Sequence, residues 1–119
     1  MLDKTKLLLE EIQNYEDIPD RVKCIRDYYK GEDCYLLAAG PSLNKYDVDY
    51  IKEKIGDKLV IAVKQSISNF YDIADFHVLN FANYEPYQNY EDNIVVWEVY
   101  EDFHPKMILE NDIPCHMML

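Results

Sequence analysis

Cys34-Tyr35-Leu36-Leu37-Ala38-Ala39 is an unbroken apolar run that stops at Gly40-Pro41-Ser42. A strand with one wet face alternates apolar and polar residues, whereas a strand covered on both faces does not. The run therefore reads as a buried strand of a parallel sheet, over residues 33–39, with a loop at 40–44. Val48, Ile51 and Ile55 then share a helical face over 46–55, with Asp47 placed to cap or charge the first turn. A second apolar run, Lys58-Leu59-Val60-Ile61-Ala62-Val63, follows. Strand, helix and strand within about thirty residues make a βαβ unit, which closes right-handed. This restricts the chain to the α/β class. We expect a Rossmann-like three-layer sandwich with a mainly parallel sheet of four to five strands, preceded by two helices.

Those two helices are read at 3–15, from Leu8, Ile12 and Tyr15, and at 19–30, from Val22, Ile25 and Tyr29. Pro19 suits a first helical turn, and Gly31 falls where a left-handed C-terminal cap belongs. Gly56 ends the third helix in the same way, which leaves Gly40 for a special loop. The helices before the first strand could pack on the sheet or form an arm that grips another subunit. Ser66 is placed to cap a short helix at 67–74. Residues 76–80 and 94–99 read as strands three and four, and 81–93 as a loop or single helical turn. The tail carries Pro105 and Pro114, and its apolar end suggests a last strand or a shortened chain. We expect one domain, shortened relative to a complete doubly wound one, with 1–31 as a helical arm and 32–119 as the α/β core.

Charge bears on partners. A net charge of −11 and a pI near 4.5 repel nucleic acid and anionic membrane. An anionic ligand would need local help from a helix dipole, a lysine or a divalent cation. The three cysteines, Cys24, Cys34 and Cys115, lack CxxC spacing and are odd in number. With no signal-like leader and no apolar run of membrane-spanning length, the expectation is a reduced, cytoplasmic protein.

In a parallel sheet the carboxyl ends of neighbouring strands share one edge, where ligands of open α/β sheets bind. Strand one brings Gly40, Pro41 and Ser42 there. Strand two brings Lys64 and Gln65, and strand three brings Asn80, with Asn83 just beyond. Glycine admits close approach to the backbone, and Ser42 with nearby amides can donate to phosphate oxygens. Lys64 can neutralise a phosphate, and Asn80 offers a two-sided amide to a base or ribose. A plain turn, a lysine reaching solvent and an asparagine closing a strand fit the same spacing.

Leu37-Ala38-Ala39-Gly40-Pro41-Ser42-Leu43, a strand ending at Lys64-Gln65, and Asp75-Phe76-His77-Val78-Leu79-Asn80 together resemble a known group. It includes the bacterial sialyltransferases of the Campylobacter type, the motility accessory factors and the archaeal hydroxymethylpterin diphosphokinase. The resemblance covers roughly residues 33–85. It implies that Gly40 and Ser42 contact a nucleotide and that Asn80 reads it. The diphosphokinase branch tends to carry Asp-Pro where this chain has Asn80-Phe81, which favours the transferase branch. Ala39 and Lys64 depart from the asparagines of the sialyltransferases, and both departures bear on the donor. The group's catalytic base and phosphate-binding tyrosines lie in a later segment without a counterpart here, so no catalytic residue is carried over.

The expected function is accordingly a nucleotide-sugar-binding, glycosyltransferase-like domain with a CMP- or UDP-type ligand. One alternative is a diphosphokinase-like enzyme using ATP and Mg²⁺. Another is a non-catalytic nucleotide- or protein-binding module that self-associates through its N-terminal helices. Asp47, Asp49, Glu85 and Asp92 are the carboxylates that could hold Mg²⁺ beside a diphosphate. No histidine pair has metal spacing. His77 reads as a packed strand residue, His104 as a loop residue, and Tyr84, Tyr87 and Tyr90 as a lid or a half-buried turn.

Overall fold

The computed structural model describes residues 1–80 and 93–119. The helices among them are α1 (Asp3–Ile12), α2 (Ile18–Ile25), α3 (Val48–Ile55), α4 (Ile67–Phe70) and α5 (His104–Glu110). The strands are β1 (Cys34–Leu37), β2 (Leu59–Val63), β3 (Phe76–Leu79), β4 (Ile94–Trp97) and β5 (Met117–Met118). All four strand pairs are parallel, and the spatial order is the sequence order, β1-β2-β3-β4-β5. The chain is thus an α/β sandwich around a parallel sheet, as its apolar runs imply, but β1 is not the buried strand that its run suggests: it ends the strand order, and of its four residues only Leu37 is buried.

Side-chain alternation sorts the core into two faces. Leu59, Phe76, Ile94, Val96 and Met117 point to one face and pack with Leu8 and Ile12 of α1 and Val22 and Ile25 of α2. Val60 and Ala62 point to the other and meet Ile55 of α3 and Ile67 and Phe70 of α4. Leu79, Val95 and Trp97 continue that second face under Ile108 of α5. Of the two roles open to α1 and α2, the structure shows packing on the sheet. Asp75 holds this layer in place. It is fully buried, its Oδ1 accepts from Leu2 N (2.8 Å), and its Oδ2 accepts from Val60 N (2.9 Å). One carboxylate therefore ties the start of α1 to the start of β2. Thr5 Oγ1 and the Tyr29 hydroxyl lie 2.8 Å apart, and burial pushes that phenol up to about 12.

Several local expectations are corrected. The first helix ends at Ile12 rather than 15, and Tyr15 stays 40 % exposed. The second ends at Ile25, and the chain leaves through turns in which Asp27 and Gly31 take positive φ, so Gly31 closes a turn and not the helix. Asp47 does cap α3, accepting from Asp49 N at 2.8 Å, and Gly56 does end it at φ +59°. The segment read as a helix over 67–74 is helical only through Phe70. His104 starts a helix instead of lying in a loop, and its Nδ1 accepts from Tyr100 N and Glu101 N at 3.4 and 3.3 Å. Pro105 sits in the first turn of that helix, where its missing N–H costs nothing. No helix among the described residues is long and apolar enough to cross a membrane.

Candidate functional site

Because the strands are parallel, the ends of β1 to β4 deliver Ala38 to Gly40, Lys64 to Ser66, Asn80 and Glu98 to one edge. After β1 the chain makes a 3-10 turn over Pro41–Lys45, and after β2 a tighter one over Lys64–Ser66. Two side chains stitch these ends together. Ser66 Oγ accepts from Val63 N (3.0 Å) and has the carbonyls of Leu37 and Val63 both at 2.9 Å to donate to. Ser66 therefore joins the ends of β1 and β2 and does not cap α4. Gln65 Nε2 donates to Ala39 O at 3.2 Å.

Lys64 adopts φ +54°, a left-handed conformation that costs a non-glycine residue about 1–2 kcal/mol. Its carbonyl lies 2.9 Å from Nε2 of His77, which is 1 % exposed. A carbonyl can only accept, so Nε2 carries the proton. Burial holds His77 below its usual pKa, so the ring is neutral and fixes the turn after β2. His77 is thus a packed strand residue with a structural task at the edge.

A cavity of about 220 Å³ opens on the α3/α4 face. Ala38, Ala39 and Gly40 line it after β1, and Gln65, Ser66, Asn69 and Phe70 line it from the turn after β2 and from α4. Leu43, Asn44, Tyr46 and Val48 close it from the 3-10 turn and the start of α3. Every one of these side chains is uncharged. The polar groups on offer are the carboxamides of Asn44 and Asn69, the amide oxygen of Gln65 and the phenol of Tyr46, since the Ser66 hydroxyl and Gln65 Nε2 are engaged with the strand ends. Gly40 has φ −71° and ψ 155°, so its backbone does not require glycine. A Cβ built there would meet only Ser42 Oγ, at 3.9 Å. The absent side chain leaves open space and relieves no strain.

The expected site residues divide. Gly40 and Gln65 line this cavity. Pro41 and Lys64 adjoin those two in the chain and Ser42 lies two positions past Gly40, but none of the three is among its lining. Asn80 Nδ2 donates to Glu98 Oε2 at 3.4 Å, facing the end of β4. Asn83 lies outside the described residues, as do Tyr84, Glu85, Tyr87, Tyr90 and Asp92. Asn44, Tyr46 and Asn69 escaped the sequence reading. Asn44 falls in the first turn after β1 and Asn69 in α4, the first α-helix after β2, and that position is the signal they offered.

Ligand crevices of open α/β sheets form where the strand order reverses and connections leave to opposite faces. This order never reverses, so the cavity has a different origin: the 3-10 turn and α4 stand on one face with a gap between them. Among the described residues no group of three His, Cys, Asp or Glu side chains could hold a metal ion. Burial raises the pKa of all three thiols, Cys115 to about 11, so none is an activated nucleophile. Comparison with models of known families, with curated proteins and with solved structures finds no match to this chain.

Proposed function

We propose that this chain is a nucleotide-binding domain that takes a nucleotide or nucleotide-sugar of the CMP or UDP type at the carboxyl edge of its sheet. The observation that carries the reading is the uncharged, carboxamide-lined cavity beside Gly40 in a chain of net charge −11. Carboxamides present paired donors and acceptors, which suit the edge of a base or the hydroxyls of a sugar. At about 220 Å³ the cavity is smaller than the ~300–1,000 Å³ of sites that enclose a whole small molecule. It therefore suits the neutral part of the ligand, leaving phosphates outside toward Ser42 and Lys64. Among the described residues the lining supplies no carboxylate, imidazole, thiol or amine. That favours binding over catalysis, and no catalytic residue is assigned.

Thermal-shift titration with CMP, UDP, GDP and ATP, with and without Mg²⁺, tests the reading. A ligand at about 100 times its Kd stabilises by about 2.7 kcal/mol. CMP or UDP should raise the Tm, and Lys64→Ala should weaken that binding much more than it lowers stability. A response to ATP with Mg²⁺ alone would favour the diphosphokinase-like alternative. No response to any of the four would end the nucleotide reading.

A further inference from the structure

Among the described residues β1 lies at one end of the strand order and has a neighbouring strand on one side only. Natural edge strands are usually protected by a lysine, a proline or a bulge. Cys34-Tyr35-Leu36-Leu37 carries no charge and no proline. Two of its large side chains stand in water, Leu36 at 64 % and Tyr35 at 42 % exposed. Register puts Leu36 level with Ile61 on the α1/α2 face and Tyr35 level with Val60 on the α3/α4 face. Apolar surface is therefore left uncovered on both faces of the same edge.

We propose that this edge pairs with β1 of a second copy of the chain, antiparallel, about a two-fold axis through Leu36. Side chains opposed across an antiparallel pair must lie on the same face, which restricts the register. Centring on Leu36 sets Leu36 against Leu36, Tyr35 against Leu37 and Cys34 against Ala38. Asp33 then opposes Ala39 and Glu32 opposes Gly40, so no like charges meet. Centring on Tyr35 would instead set Asp33 against Leu37, which is only 6 % exposed. Charge also selects this edge over the rest of the surface. At net charge −11 two copies repel, and an uncharged strip is where they approach at least cost. Glu32, which flanks the strip, is already paired with Lys4 Nζ at 3.1 Å. The contact is isologous, so it closes at two chains and joins the two five-stranded sheets into one.

Sedimentation equilibrium from about 10 μM to about 1 mM should show a concentration-dependent dimer, since a strand pair this short lies at the small end of interface sizes. Leu36→Lys places a charge at the dyad and should raise the dimer Kd by at least about tenfold. Leu36 is exposed, so the variant should keep its circular dichroism spectrum. Opposed Cα atoms in antiparallel strands lie about 4.5–5.5 Å apart, within disulfide range. Leu36→Cys in a Cys34→Ser background should therefore cross-link to a dimer on mild oxidation. The two native Cys34 residues, about 13 Å apart in this register, should not cross-link. A wild-type monomer throughout the concentration range overturns the proposal. So does a dimer indifferent to Leu36→Lys, or a Leu36→Cys variant that stays monomeric under oxidation.

Discussion

Asp75→Ala should remove the post that holds the N-terminal layer to the sheet. The carboxylate is fully buried and accepts two backbone N–H groups, from Leu2 and from Val60. A hydrogen bond to a charged group contributes about 1.5–3 kcal/mol, and a buried N–H left without a partner costs about as much. The Val60 bond is buried and takes the full loss, whereas the Leu2 bond is part-buried and water can replace some of it. The sum is about 3–4 kcal/mol. An unfolding entropy of about 2.1 cal/mol/K per residue over 119 residues is about 0.25 kcal/mol/K. The expected fall in Tm is therefore about 12–16 °C. Asp75→Asn keeps one acceptor but turns an NH₂ group against the other N–H, so about half the loss should remain. Urea unfolding followed by circular dichroism measures both variants. Amide exchange at Leu2 and Val60 should accelerate more than at Val95, in β4. If Asp75→Ala lowers stability by less than about 1 kcal/mol, the two bonds do not carry the layer and the reasoning fails.

Gly40→Ala should stabilise the free protein by about 0.4–1 kcal/mol, because the backbone is ordinary and the space is open, while weakening any ligand that approaches the loop. A variant that binds CMP or UDP as tightly as wild type would separate Gly40 from the site. Gly56→Ala should do the opposite, costing about 1–3 kcal/mol in thermal melts, since φ +59° with ψ −123° suits only glycine even though its Cβ would meet nothing within 4 Å. Stability should fall as pH drops from about 7 to 5. Burial lowers the pKa of both His77 and His116, so the unfolded chain binds more protons once pH falls below about 6.5, and the native state loses ground by linkage. The slope from these two residues cannot exceed about 2.7 kcal/mol per pH unit. His116→Asn, which keeps an acceptor for Val95 N, should flatten the slope measured by urea melts at several pH values. Asn69→Ala should weaken nucleotide binding by about five- to tenfold with little change in Tm, because a single lost carboxamide contact is worth about 1–1.5 kcal/mol.

β2 and β4 were legible because parallel strands covered on both faces leave continuous apolar runs, and Leu59–Val63 and Ile94–Trp97 have no other simple reading. The same rule placed β1 as a strand but misjudged its burial, because an apolar run does not record that its strand lies at the end of the sheet. Asp47 and Gly56 were legible as the ends of α3 because capping is local chemistry. Ser66 was misread because a serine before an apolar turn looks like a cap. Its actual partners, Leu37 O and the ends of β2, depend on two strands lying side by side. α5 was missed because Pro105 and a seven-residue length conceal its period. Of the residues expected at the carboxyl edge, Gly40 and Gln65 line the cavity, and both sit next to strand ends. Asn44, Tyr46 and Asn69 meet across the gap between a 3-10 turn and α4, and no spacing along the chain records that meeting. The Asn80–Glu98 contact was hidden for a similar reason, since Glu98 comes from the next strand, eighteen positions on.

The sequential strand order sets up a contrast in how the molecule is assembled. Each strand lies beside the one made just before it, so the sheet and its α3–α5 layer can grow in step with synthesis. The opposite layer cannot. Leu8 and Ile12 complete their packing only when Met117 arrives, and the Arg21 guanidinium reaches its carbonyl partner at His116 across 95 positions. α1 and α2, which precede all five strands in sequence, thus complete their packing only with the last of them, and refolding should show α1 and α2 gaining protection after β1 and β2.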